Sequence, residues 1–323
     1  MLSYNEFTQK MKEEVQNRFG DGYEVLMHEV RKTNLGLTET LIILQKPERE
    51  NRISPQFYLR PMYQRYRNGT DMENLVEELI CAYADSKEKA GNIMTDAGDI
   101  HDYERYRGRI YFRLINTEKN RILLEDVPHF EILDLSMVFY ILISEEMDGV
   151  SSVMIQNNLL KIWELSPDDL KKQASVNTPK LFPAVVKTLG AVMKSFFAGM
   201  GQEKSKPESK DVFPNEPDAD EIFILSNSKM VNGFATVLYS GELKAVSDRV
   251  KKDLYVLPSS VHEALLLPAD SSVSGHELCK MVREINETVV SEEEVMSEQA
   301  YYYNRENDTL KMLEGDEDAC VEF

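Results

Sequence analysis

The run Leu135-Ser-Met-Val-Phe-Tyr-Ile-Leu142 constrains this chain more than any other segment, because it is apolar almost without interruption. A strand with one wet face alternates apolar and polar residues; this one, spanning Asp134 to Ile143, does not, so it predicts a strand buried on both faces. Asp148-Gly149 then turns the chain back into a strand from Ser151 to Ile155, and Leu159 to Trp163 reads as helix. Similar strand-strand-helix units are predicted at about 221–251 and 253–287, without residue identity between them. The fold expected is therefore α+β: a largely antiparallel sheet with helices on one face, plus a smaller N-terminal α+β part.

At 323 residues the chain is long enough for two domains. Ser3 with Glu6 three residues on is a capping box, and Phe7, Met11, Val15 and Phe19 recur every four residues up to Gly20. Strands follow at 23–32 and 37–46, joined by Thr33-Asn-Leu-Gly36, with a third at 53–59 kept to an edge by Pro55. Helices at 60–67 and 71–86 complete the pattern; Leu75, Leu79 and Ala82 mark the buried face of the second, and residues 87–100 read as a connector. Further on, 110–115 reads as strand, 118–124 as a short helix, and Ser166-Pro167 with Asp169 as a helix start. Residues 184–197 read as helix, 221–226 and 234–239 as strands, 241–251 as helix, 253–257 and 262–267 as strands, and 274–287 as helix. A short helix after Ser291 and a hairpin of 299–304 and 309–313 close the chain. The predicted domains are 1–98, and 99–198 joined with 221–313 in a shared sheet. Residues 199–220, with Pro207, Pro214 and Pro217, form a linker. Residues 314–323 are an acidic tail.

The formal charge is −19, and residues 287–322 hold twelve acidic residues against Arg305 and Lys311. A solvated acidic C-terminus that aids solubility is the expectation. There is no apolar run of membrane-spanning length, and Met1-Leu-Ser-Tyr-Asn-Glu lacks the basic and apolar segments of a signal peptide, so a cytoplasmic protein is expected. Cys81, Cys279 and Cys320 are too far apart for a metal knuckle or a disulfide framework.

One stretch crowds a hydroxyl, an imidazole and a carboxylate together between apolar runs: Pro258, Ser259, Ser260, His262 and Glu263, flanked by Leu254–Leu257 and Ala264–Leu267. On a continuous strand Ser260 and His262 share a face, while Ser259 and Glu263 face the other way. A catalytic triad needs the acid to orient the base, and here the adjacent acid points away. No glycine elbow presents either serine. The predicted role is a structural polar turn joining two buried strands, with a ligand or partner contact as the alternative; no catalytic residue is assigned. His-Glu pairs at 28–29, 262–263 and 276–277 never continue as H-E-x-x-H, so no metal is expected, and the absence of phosphate-loop motifs leaves no cofactor expected. Residues 105–121 mix Arg105, Arg107, Arg109, Arg113, Lys119 and Arg121 with Tyr103, Tyr106, Tyr111 and Phe112. Cations and rings are what nucleic-acid surfaces use, but the half-buried strand pattern and the −19 charge favour a solvated face, so nucleic acid is not the expected partner.

Several segments together resemble a known family. They are Ser54-Pro55-Gln-Phe-Tyr58-Leu59, Tyr63-Gln-Arg-Tyr66-Arg-Asn-Gly69, Leu114-Ile-Asn116-Thr-Glu-Lys119-Asn120, Asp126-Val-Pro128-His129, Asp134-Leu135, Leu257 to Glu263, and Tyr301-Tyr302-Tyr303. As a set they resemble the bacterial domain-of-unknown-function family DUF5688 over residues 1 to about 313. The region after 130 is more distantly similar to a second such family, DUF1444. The resemblance implies a fold and a cytosolic bacterial setting, and no activity. The function expected is therefore a non-enzymatic binding or interaction module of unknown partner, a protein being the class considered. The alternatives are a serine-hydrolase-like enzyme using Ser259 or Ser260 with His262, and nucleic-acid binding through 105–121.

Overall fold

Serine side chains set where three of the helices begin. In α1 (Tyr4–Phe19) the Ser3 hydroxyl accepts the Glu6 amide N–H while the Glu6 carboxylate returns to the Ser3 N–H, closing the predicted capping box. The computed structural model, which describes residues 1–46, 56–96, 100–146, 149–192, 221–269, 274–314 and 320–323, divides into two compact units, Met1–Ile100 and His101–Phe323.

In the first unit α1 is followed by β1 (Tyr23–Lys32), β2 (Gly36–Gln45), β3 (Gln56–Tyr58), α2 (Leu59–Arg67) and α3 (Met72–Asp96). The strands form an antiparallel sheet in that order, so β3 takes the expected edge; Pro55 lies outside the described residues. Phe7, Met11 and Val15 pack on Val25, Leu41 and Ile43, and Leu75, Val76, Leu79 and Tyr83 close the core. Ala82, expected on that face, is exposed, because the stripe runs 75–76–79–83. Residues 87–96, read as a connector, continue α3. Gly91 did not stop it: a single glycine lowers helix stability by only about 1 kcal/mol.

The second unit carries α4 (Tyr103–Tyr106), β4 (Ile110–Asn116), α5 (Arg121–Leu124), β5 (His129–Ile132), β6 (Leu135–Glu146), β7 (Gly149–Met154), α6 (Asn157–Ile162), α7 (Pro167–Leu181) and β8 (Ala184–Thr188). These continue as β9 (Phe223–Asn227), a 3-10 turn over Gly233–Leu238, α8 (Glu242–Val250), β10 (Leu254–Ser260), β11 (Glu263–Pro268), α9 (Gly275–Thr288), β12 (Tyr301–Asn304), β13 (Thr309–Met312) and β14 (Cys320–Glu322). Every strand pairing is antiparallel. β6 is the central strand of a four-stranded sheet, with β4 along one edge and β5 and β7 sharing the other. Its residues Met137 to Ile143 are all buried, as the uninterrupted apolar run requires. On one face Tyr111, Val138 and Tyr140 meet Leu124, Val127 and Phe182. The outer edge of β4 is capped by α7: Thr178 Oγ1 accepts the Phe112 N–H (3.1 Å), and Asn177 Nδ2 donates to the Ile110 carbonyl (2.8 Å). Two helix side chains thereby satisfy backbone groups that an open edge would leave unpaired.

The other sheet runs β14-β13-β12-β10-β11-β9-β8. The expectation that 110–198 and the C-terminal strands share one sheet is thus corrected: among the described residues of that region only β8 joins the seven-stranded sheet. β8 itself was expected to be helix. Val185 and Val186 favour extended backbone, and the edge beside β9 supplies the partners; helix resumes only at residues 189–192. Residues 234–239, expected as a strand, instead coil into the buried 3-10 turn, since a short apolar run fits either form when every side is covered. The unit at 253–287 is strand-strand-helix as expected, whereas 221–251 has one strand fewer. A turn replaces the short helix after Ser291, and the tail contributes β14. The linker at 199–220 lies outside the described residues. Among the described residues no helix is long and apolar enough to cross a membrane.

Candidate functional site

β10 and β11 form the hairpin that carries the polar stretch. The ladder pairs Leu254↔Pro268 through Pro258↔Ala264, then shifts register and closes with Ser260↔Glu263 around a turn of Val261 and His262. Pro258 therefore lies inside β10 rather than ending it. It is tolerated there because a bulge follows and because β12 pairs only with Leu254 to Val256. His262 belongs to the turn, so the alternation expected of Ser260 and His262 on one continuous strand does not apply.

The turn is held from three directions. The Val261 N–H donates to the Glu294 carbonyl (2.9 Å), and the Phe234 N–H donates to the Val261 carbonyl (3.2 Å). Ser226 Oγ donates to the His262 carbonyl (2.7 Å). The His262 ring faces the same neighbours. Its Nδ1 accepts the Asn232 N–H at 3.2 Å, which places the ring proton on Nε2, 3.4 Å from Glu294 Oε1. Both nitrogens of the only base in the stretch are thus engaged by Asn232 and Glu294. The serines bond locally: Ser260 Oγ accepts the His262 backbone N–H (3.0 Å), and Ser259 Oγ donates to Glu263 Oε1 (3.3 Å). The structure brings Ser259 to Glu263 and His262 to Glu294, and pairs neither serine with the imidazole.

Asn232 and Glu294 are the two residues the sequence did not reveal. Glu294 lies in the acidic run read as solvated, and Asn232 adopts left-handed backbone (φ 50°) just before the 3-10 turn. Nothing local in the chain links positions 232, 262 and 294. The same C-terminal segment is gripped further along. Asn116 Nδ2 donates to the Met296 carbonyl (3.1 Å), Ser297 Oγ donates to Asp134 Oδ2 (2.5 Å), and Tyr301 OH donates to Asp134 Oδ1 (2.7 Å). Burial, then the Asp134 charge, pushes the Tyr301 hydroxyl well above its usual range and keeps it a donor.

The basic segment is spent locally. Arg107 pairs with Glu104 (3.3 Å), Arg121 with Glu118 (2.5 Å), and Arg109 donates to the Ile143 carbonyl (2.8 Å). Arg113 bonds Tyr111 OH and Ser152 Oγ and lies 4.0 Å over the Tyr140 ring. Tyr106, Tyr111 and Phe112 are buried, which withholds them from base stacking. His276 of the third His-Glu pair contacts Glu314 (2.6 Å), while Glu277 serves the α9 capping box.

Residues 4–305 match the family of unknown function DUF5688. The chain belongs to this family. Neither the curated proteins nor the solved structures include a match. The DUF5688 match takes in the turn at Pro258–Glu263, its partners Asn232 and Glu294, and the Asp134–Tyr301 contact, and stops short of β13 and β14.

Proposed function

We propose that the protein is a non-enzymatic binding module, with the Pro258–Glu263 turn as a contact point for a protein partner. The observation that supports it is the His262 ring. A general base must reach the hydroxyl it activates, whereas this imidazole accepts a backbone N–H on one nitrogen and faces a carboxylate on the other. Ser259, Ser260, His262 and Glu263 remain partly exposed at the hairpin tip, available for contact. A fluorophosphonate probe tests the reading against its enzymatic rival. No adduct on Ser259 or Ser260 is expected; an adduct that disappears in His262→Ala would replace the binding reading with a hydrolase. For the contact itself, a photocrosslinker placed at Ser259 should capture a discrete protein whose yield falls in Glu263→Arg.

A further inference from the structure

The opposite end of the same hairpin opens into a groove of about 540 Å³, within the range of roughly 300–1,000 Å³ common for small-molecule sites. Its walls combine cations and rings. α8 ends at Val250, and the left-handed backbone of Lys251 just after it (φ 58°) turns the chain sharply, with Lys251 and Lys252 lining the groove just before β10. Arg305, directly after β12, lines it as well. Tyr255 and Tyr302, neighbours on the paired strands β10 and β12 with ring centroids 5.9 Å apart, also line it.

The charges decide what such a groove can hold. Three cations line it against Asp253 and Glu306, in a chain whose formal charge is −19. Asp253 is already engaged: one oxygen accepts the Tyr302 hydroxyl and the other the Arg305 N–H (2.8 Å). Burial and that carboxylate push the Tyr302 hydroxyl up to about 12, so it stays protonated and holds its ring in place. Arg305 spends only Nε on a side chain, donating to Asp248 Oδ1 (2.9 Å). Among the described residues its two terminal nitrogens bond no other group, and Lys251 is exposed with no ion pair. A planar guanidinium fork with free donors beside a lysine suits phosphate oxygens, and tyrosine faces suit a flat ring.

We propose that this groove binds a nucleoside phosphate, the phosphate between Lys251 and Arg305 and the base against the Tyr255–Tyr302 pair. The site is separate from the Pro258–Glu263 turn, so either can fail without the other. Calorimetric titration of the full chain with AMP is the test. Saturable binding is expected, weakened at least tenfold by Lys251→Glu and by Tyr255→Ala, with adenosine and inorganic phosphate each binding more weakly than AMP. Lys251 is exposed, so its variant should keep the wild-type melting curve; Arg305→Gln, which also loses a contact to Asp248, serves as the second variant. Absence of saturation with millimolar AMP overturns the proposal. So does binding indifferent to Lys251→Glu, and so does phosphate binding as tightly as AMP.

Discussion

Gly233 has room for a hydrogen and nothing larger. A Cβ there would stand 2.1 Å from Ser226 Oγ, 2.4 Å from the His262 carbonyl oxygen and 2.9 Å from the Asn227 nitrogen. Two of those atoms are backbone, and Ser226 Oγ is itself bonded to the His262 carbonyl, so none can move cheaply. Gly233→Ala is expected to destabilise the fold by about 3 kcal/mol, at the upper end of the overpacking range, measured by urea unfolding. A cost near zero would mean that the hairpin tip and the 3-10 turn are not packed as described. Tyr301→Phe tests the second contact. It removes the hydroxyl from Asp134 Oδ1 and leaves Ser297 on Oδ2, and should cost about 1–3 kcal/mol, the range for a polar group left without its partner. At this scale the sequence was legible where neighbours decide and opaque where distant residues do. Ser259, His262 and Glu263 stood out because they are adjacent. Ser259 and Glu263 do pair locally, but the partners of the His262 ring sit 30 and 32 positions away, where Asn232 and Glu294 look like ordinary loop and surface residues.

The elements divide along the same line. α1, α7 and α9 were readable because each begins with a device written in four consecutive residues: Ser3 to Glu6, Ser166 to Asp169 and Ser274 to Glu277. β8 was misread because its register is dictated by β9, across the undescribed 199–220. β5 and β14, at four and three residues, are too short and too exposed for alternation to show. The capping boxes also carry a pH signature. In each one, hydrogen bonds from the serine lower the pKa of the third-position carboxyl, led by the backbone N–H in Glu6 and by the hydroxyl in Asp169 and Glu277. A carboxyl whose folded pKa lies below its unfolded value contributes stability that is fully present above the ordinary carboxylate range. That contribution is lost as pH falls through the depressed value. Ser166→Ala should therefore lower stability by about 1 kcal/mol at neutral pH. The gap between variant and wild type should narrow as pH falls below the ordinary carboxylate range and Asp169 becomes protonated. Thermal melts across that window check it; a gap that widens in acid would contradict the box geometry.

Across the whole molecule, the segment from Ser291 to Tyr301 matters most to how the second unit holds together. It bonds the hairpin tip through Glu294, the four-stranded sheet through Met296, Ser297 and Tyr301, and then enters the seven-stranded sheet as β12. β8 couples the sheets a second time by leaving α7, which caps the edge of β4, and joining β9. Tyr239 OH adds a third tie, donating to the Phe182 carbonyl (3.1 Å). The bonds from Asn116, Asp134, Asn177, Thr178 and Tyr239 are buried or part-buried, so opening one sheet exposes unpaired polar groups belonging to the other. The two sheets should therefore open together. Native-state hydrogen exchange in rising denaturant is expected to give the slowest amides of β6 and of β10 the same opening free energy, and Asp134→Ala should lower both equally. The β1–β2 amides, whose core of Phe7, Met11, Leu41 and Leu75 is drawn from residues 1–100 alone, should follow an isotherm of their own. If Asp134→Ala lowers protection in β6 and leaves β10 unchanged, the contacts at Asp134 are local bonds, and the cohesion of the second unit has another source.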